Sequence, residues 1–182
     1  MRYSKIDKIE CCNGEGFGVS VFVQGCHFHC KNCFNPETWD FDGGELWDRK
    51  VTDKVLELLD NPHITRLSIL GGEPLAWENV IGVHKLISEV RHRFGEKKKV
   101  WLYTGYNMDE VKMMSSSEYL YATENMIRLD TMFKCDYVVD GRYIDELKDL
   151  SLAFRGSSNQ RIIDVKKTKE SNKVVLWETD ND

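Results

Sequence analysis

Short β-branched runs alternate along this chain with longer stretches whose apolar residues recur at helical spacing. GVSVFVQG (18–25) is short, rich in valine and bounded by glycines, which predicts a buried strand. DRKVTDKVLELLD (48–60) places Val51, Val55, Leu58 and Leu59 on one helical stripe, and Asn61-Pro62 ends it. ITRLSIL (64–70) predicts a second strand that runs into Gly71-Gly72-Glu73-Pro74, and NVIGVHKLISEVRHRFG (79–95) a second helix closed by Gly95. KVWLYTGY (99–106) reads as a third strand. Residues 107–129 read as a helix in two pieces joined at Ser115–Ser117. KCDYVVDGRY (134–143) reads as a fourth strand with a turn, and 160–177 as a hairpin of two strands around a polar turn.

Strands alternating with helices predict an α/β fold, a parallel sheet with helical crossovers. A complete eight-unit barrel needs about 250 residues. The 182 residues here have room for part of one, so an open partial βα barrel is expected, with no repeat or linker dividing the chain (1–182) into several domains. Ligands of parallel α/β sheets collect at the carboxyl ends of the strands. The loop after the first strand, GGEP, TGY and VDGRY all fall there.

Composition narrows the setting. Charged residues make up 30% and hydrophobic ones 41%, as in a soluble globular protein. The formal net charge is −5, so no overall basic balance points to nucleic acid, and the lysines of EKKKV (96–100) read as a solvated turn. No apolar run has membrane-spanning length, and MRYSKIDKIECC lacks the apolar core of a signal peptide. The expected compartment is the cytoplasm, where thiols stay reduced and six cysteines argue for metal or redox chemistry over disulfides.

Three of those cysteines lie in QGCHFHCKNCFNPETW (24–39): Cys26, Cys30 and Cys33, spaced x3 then x2. Residues i, i+4 and i+7 share a helix face. Here Gly25 precedes the run, Pro36 follows, and no apolar stripe extends it, so a loop fits better. A structural zinc site with His27 or His29 as fourth ligand is a second reading. Such sites favour two well-separated ligand pairs, whereas these candidates crowd together, and adjacent Cys11-Cys12 chelate one metal ion poorly. A third reading is a [4Fe–4S] cluster with only three thiolates, leaving one iron open to an exogenous ligand.

With GGEP after the next strand, the Cys-x3-Cys-x2-Cys run resembles the radical S-adenosylmethionine superfamily. GVSVFVQGCHFHCKNCFNPETW, LGGEPL, YTGY, DYVVDGRY and RGSSNQRIIDV are similar, in order and spacing, to the anaerobic ribonucleoside-triphosphate reductase activating proteins, over about residues 6 to 165. The resemblance implies a partial barrel of the radical S-adenosylmethionine type and a glycyl-radical activase, an oxidoreductase of that superfamily. Cys26, Cys30 and Cys33 would then hold a [4Fe–4S] cluster. Its fourth iron would take S-adenosylmethionine, whose reductive cleavage gives the 5′-deoxyadenosyl radical that creates a glycyl radical on the partner reductase. The implied partners are the anaerobic ribonucleoside-triphosphate reductase and a one-electron donor such as flavodoxin or ferredoxin, with no nucleic acid and no membrane.

Gly71, Gly72 and Glu73 would contact the methionine end of the cosubstrate, and Thr104 its ribose or carboxylate. Where many superfamily members carry an aromatic before the third cysteine, this chain has Asn32, which leaves Phe34 or His29 for adenine. Asp140, Gly141 and Arg142 would close the mouth or dock the partner, with Asn159 and Gln160 as weaker candidates. Cys11, Cys12 and Cys135 match no cluster motif, and Cys135 reads as a small buried hydrophobe in a strand. The acidic end ETDND reads as a disordered tail. The other readings are the activase of another glycyl-radical enzyme, a small-molecule radical S-adenosylmethionine enzyme, and a non-enzymatic zinc-binding or electron-carrier module.

Overall fold

The β-branched runs become the centre of one sheet. The structure, a computed structural model, describes residues 1–116 and 118–178. Its elements are β1 (Arg2–Glu10), β2 (Gly18–Gln24), β3 (Glu45–Leu46), α1 (Arg49–Leu59), β4 (Arg66–Gly71), α2 (Trp77–Phe94), β5 (Lys99–Tyr103), α3 (Met108–Met114), α4 (Ala122–Phe133), β6 (Tyr137–Asp140), β7 (Arg161–Asp164) and α5 (Val165–Ser171). The sheet order is β3-β1-β2-β4-β5-β6-β7. The four central strands, β2, β4, β5 and β6, run parallel, and β1, β3 and β7 pair antiparallel at the flanks. The result is a mixed α/β fold with a parallel centre, as the alternation of elements predicts.

Alternate residues of a strand point to opposite faces. On one face Val19 and Val21 lie in register with Leu67 and Ile69, and Val23 with Gly71, a layer that continues into Val100, Leu102 and Val138. Val55 and Leu59 of α1, Val83, Ile87 and Val90 of α2, and Met132 of α4 complete this core. Burying each such aliphatic side chain contributes about 1.5–3 kcal/mol, enough to fix which face the helices cover.

The other face carries polar and aromatic groups. Fully buried Arg66 donates to Glu10 Oε1 at 2.6 Å, to Ser68 Oγ at 2.7 Å and to the Glu15 carbonyl at 3.2 Å. A buried guanidinium persists only when its donors are satisfied in this way. Beside it Trp101 packs against Tyr137, Phe154 and Trp177, with ring centroids 4.6, 5.3 and 5.9 Å away.

Several elements differ from the sequence expectation. β1 and β3 had no predicted counterpart. The expected C-terminal hairpin is instead β7, the helix α5 and a single antiparallel bridge from Leu176 to Ile163. Asp164 drives this departure, because its side chain accepts from the Lys167 amide and caps α5. Cys135 is buried as expected but sits in the turn before β6, where its thiol donates to the Thr131 carbonyl. Lys98 is not solvated: it is buried, and its ammonium donates to the carbonyls of Asn61, at 2.9 Å, and of Ile64. Ser117 of the expected joint and residues 179–182 of the acidic end lie outside the described residues.

Candidate functional site

The loop that leaves β2 is tied down at both ends. The Gly25 amide donates to the Thr38 carbonyl at 2.8 Å and the Cys26 amide to the Trp39 carbonyl at 3.0 Å. Between these ties the chain turns through left-handed residues at His29 and Asn32 and a short 3-10 turn at Pro36–Thr38. The buried Gln24 amide holds the return segment by donating to the carbonyls of Glu37 and Asp40. Gly25 has φ 96°, and a Cβ there would lie 2.1 Å from the Phe41 ring, so only glycine permits the sharp exit.

Cys26, Cys30 and Cys33 of this loop border one cavity of about 630 Å³. Gly71, Gly72, Glu73, Thr104, Gly105, Gly141 and Arg142 line it as well, so the ends of β4, β5 and β6 meet the cysteine loop. The cavity continues along the polar–aromatic face of the sheet to Phe22, Tyr103 and Phe154. Burial pushes the Cys26 and Cys30 thiols above their ordinary range. Among the described residues no three His, Cys, Asp or Glu side chains come together as a single metal ion would require.

The Gly71-Gly72 turn brings two strand ends into backbone contact. Gly71 has φ 100°, and a Cβ on Gly72 would lie 2.5 Å from the Gly25 carbonyl oxygen. The Glu73 amide donates to that same oxygen at 2.8 Å. The Glu73 carboxylate is wholly buried and accepts from the Leu75 amide at 2.8 Å, the Thr104 hydroxyl at 2.7 Å and the Gly105 amide at 2.8 Å. It therefore clamps the β4 exit to the β5 exit. Burial pushes its pKa up to about 7, and the three donors hold it from rising further.

A family model described as a 4Fe-4S single cluster domain matches residues 12–163. The anaerobic ribonucleoside-triphosphate reductase-activating protein of Salmonella typhi is 32% identical over 162 residues, covering 88% of this chain and 96% of that protein. The protein of the same name from Escherichia coli (strain K12) matches with the same identity and coverage. That of Enterobacteria phage T4 is 32% identical over 162 residues, covering 89% and 93%. The chain belongs to the anaerobic ribonucleoside-triphosphate reductase-activating protein family.

The residues of this family member fit an iron–sulfur group. Three soft donors border a single cavity, and two buried polar atoms of cavity-lining residues, the Tyr103 hydroxyl and Arg155 Nε, have no hydrogen-bond partner among the described residues. Buried polar groups are rarely left unpaired, so such atoms mark room for a ligand. Phe34 also lines the cavity, 5.0 Å from the Tyr143 ring.

His29 departs from expectation. It is absent from the cavity wall and stacks on Trp39 at 4.6 Å. His27 likewise faces away, 3.2 Å from the Tyr106 hydroxyl, and burial lowers its pKa. Thr104 lies at the cavity, but its proton goes to Glu73, which makes it a positioning residue. Asp140 is buried and takes a two-pronged contact from Arg161, at 2.9 and 2.6 Å, plus the Met108 amide at 2.9 Å. It braces β6 against β7 and α3 and does not face the mouth.

Arg142 lies over the Phe28 ring at 4.2 Å, and Asn159 and Gln160 donate to the Arg142 and Gly141 carbonyls. The segment after Gly141 is docked on the cysteine loop through Lys31–Glu146 and Asn32–Asp145, both at 2.7 Å. Asn79 of α2 had no sequence signal of its own. Its buried amide donates to the carbonyls of Gln24, at 2.9 Å, and Glu73, at 3.0 Å, joining the two turns from behind.

Proposed function

We propose that this protein activates an anaerobic ribonucleoside-triphosphate reductase as a radical S-adenosylmethionine enzyme on an open partial βα barrel. Membership of the activating-protein family, together with three cysteines bordering one cavity with the GGEP and TGY turns, carries this reading. Cys26, Cys30 and Cys33 would hold a [4Fe–4S] cluster as thiolates, leaving one iron for the cosubstrate. When bound, the cluster would supply the electron for reductive cleavage of S-adenosylmethionine and so for forming a glycyl radical on the reductase.

The chain's own residues position and enclose. Gly71 and Gly72 offer backbone carbonyls to the cosubstrate's amino group, in a turn where a Cβ on Gly71 would meet Phe22 and one on Gly72 the Gly25 carbonyl. Glu73 faces the same region with a pKa near neutrality, so an ammonium ligand would draw it fully to the carboxylate form. Thr104 and Asn79 fix Glu73 and its turn. Phe34 supplies an aromatic face for adenine, and Arg142 with its docked segment shields the cavity from water. Single-domain organisation and one-electron supply by flavodoxin or ferredoxin belong to the same proposal.

The test is anaerobic reconstitution with iron and sulfide. About four irons per chain are expected, with a spectrum that changes on adding S-adenosylmethionine. Under dithionite, a glycyl-radical electron paramagnetic resonance signal should form only with the reductase present. Stoichiometric zinc, or cosubstrate cleavage that never yields the radical on the reductase, overturns the reading.

A further inference from the structure

The loop after β1 holds two adjacent thiols that the activase reading does not use. Cys11 and Cys12 are both exposed. Because β1 runs antiparallel to β2, with Glu10 opposite Gly18, this loop lies at the amino ends of the parallel strands. The cluster cysteines lie at the other end. Cys12 nonetheless lines the same cavity, reached along the polar–aromatic face of the sheet.

The backbone beneath the pair is held firmly. Glu10 Oε2 accepts from the Cys12 amide at 2.6 Å and the Asn13 amide at 3.0 Å, while Oε1 accepts from Arg66 and Ser20, both at 2.6 Å. The neighbouring Glu10 carboxylate is thus committed, and no third donor joins the two sulfurs among the described residues. A four-coordinate ion such as zinc finds too few ligands here. A direct disulfide fits poorly too. Consecutive Cα atoms are about 3.8 Å apart across a trans peptide, below the usual disulfide range of about 4.4–6.8 Å. A larger atom bridging the two sulfurs relieves that constraint.

We propose that Cys11 and Cys12 form a dithiol site for a thiophilic centre that needs only two sulfur ligands, a monosubstituted trivalent arsenical being the representative class. The step balances without a redox partner. With an arsine oxide, two As–S bonds form, the As–O bond breaks, and the oxygen leaves as water with the two thiol protons. The neighbouring Cys11 pushes the Cys12 thiol above its ordinary range.

The test uses the full-length, cluster-loaded protein under anaerobic conditions with phenylarsine oxide and excess 2-mercaptoethanol, a monothiol that strips arsenic from single cysteines. Native mass spectrometry and iron assay report arsenical and cluster together. The expected result is one retained arsenical per chain with iron content unchanged. Cys11→Ser and Cys12→Ser should each weaken retention at least about tenfold, because the second sulfur's chelate advantage is lost. Both variants alter exposed side chains, and their iron content reports that they fold. Retention undiminished in both variants, or arsenical uptake matched by loss of iron, overturns the proposal. Iron incorporation with no radical on the reductase would instead count against the activase reading alone.

Discussion

Replacing Glu73 by glutamine separates the two roles of this buried carboxyl, holding the turns together and carrying charge. Burial raises its pKa from 4.5 to about 7. The folded protein therefore holds a proton that the unfolded chain releases between those values, and stability falls as pH rises through that window. Below about pH 4.5 the group is protonated in both states and the penalty is absent; above about pH 7 it is fully present. The whole shift corresponds to roughly 3 kcal/mol, and between about pH 5 and pH 8 the change is about 2.5 kcal/mol.

The substituted amide cannot titrate. It also turns an NH2 toward one of the three donors from Leu75, Thr104 and Gly105, a loss of about 1–3 kcal/mol at every pH. Urea unfolding of the cluster-free, reduced chain should show the native protein clearly more stable than Glu73→Gln at about pH 5. That advantage should shrink by about 2–3 kcal/mol at about pH 8. Other titrating groups act alike in both proteins and cancel in the difference. A stability difference that is the same at both pH values refutes the account.

Serine at Cys26, Cys30 or Cys33 should abolish stable iron incorporation and cosubstrate cleavage, whereas serine at Cys135 should leave both measurable. Gly72→Ala should destabilise the chain by about 2–4 kcal/mol in urea unfolding, since its methyl meets the Gly25 carbonyl at 2.5 Å and backbone must move. Asp140→Asn should lower the urea midpoint by the equivalent of about 2–3 kcal/mol, by removing the buried carboxylate that Arg161 grips with two prongs and leaving the guanidinium paired only with the exposed Asp109. Tyr103→Phe should raise the stability of the cluster-free chain by about 1 kcal/mol in the same assay, because it removes a buried hydroxyl without a partner among the described residues.

The central strands and crossover helices were legible because the physics there is local. A buried strand shows as a short valine-rich run, as Val19, Val21 and Val23 do, and a crossover helix shows its stripe. β1 was hidden because irregularities in its pairing, between Tyr3 and Lys5 and again between Asp7 and Glu10, break the period of two. α5 was misread because Val174-Val175 beyond it and Ile162-Ile163 before it suggested a hairpin, while the signal that decides is a single capping aspartate. The cysteine spacing and GGEP could be read in the sequence because each is a contiguous motif. What joins them could not. Asn79 acts across three chain segments, and the burial of Lys98 depends on two carbonyls far away in sequence.

The two ties at Gly25–Thr38 and Cys26–Trp39 have a consequence for how the site is assembled. Closing a flexible loop costs conformational entropy that must be met when its ends are brought together. Here the sheet, the two backbone ties and Gln24 join the ends through contacts in which no cysteine side chain takes part. Incoming metal then only orders the interior of a short span. Assembly should accordingly proceed on a folded chain, and loss of the group should leave a scaffold ready to be refilled. Protection of the Gly25 and Cys26 amides from hydrogen exchange in the cluster-free chain would register this directly.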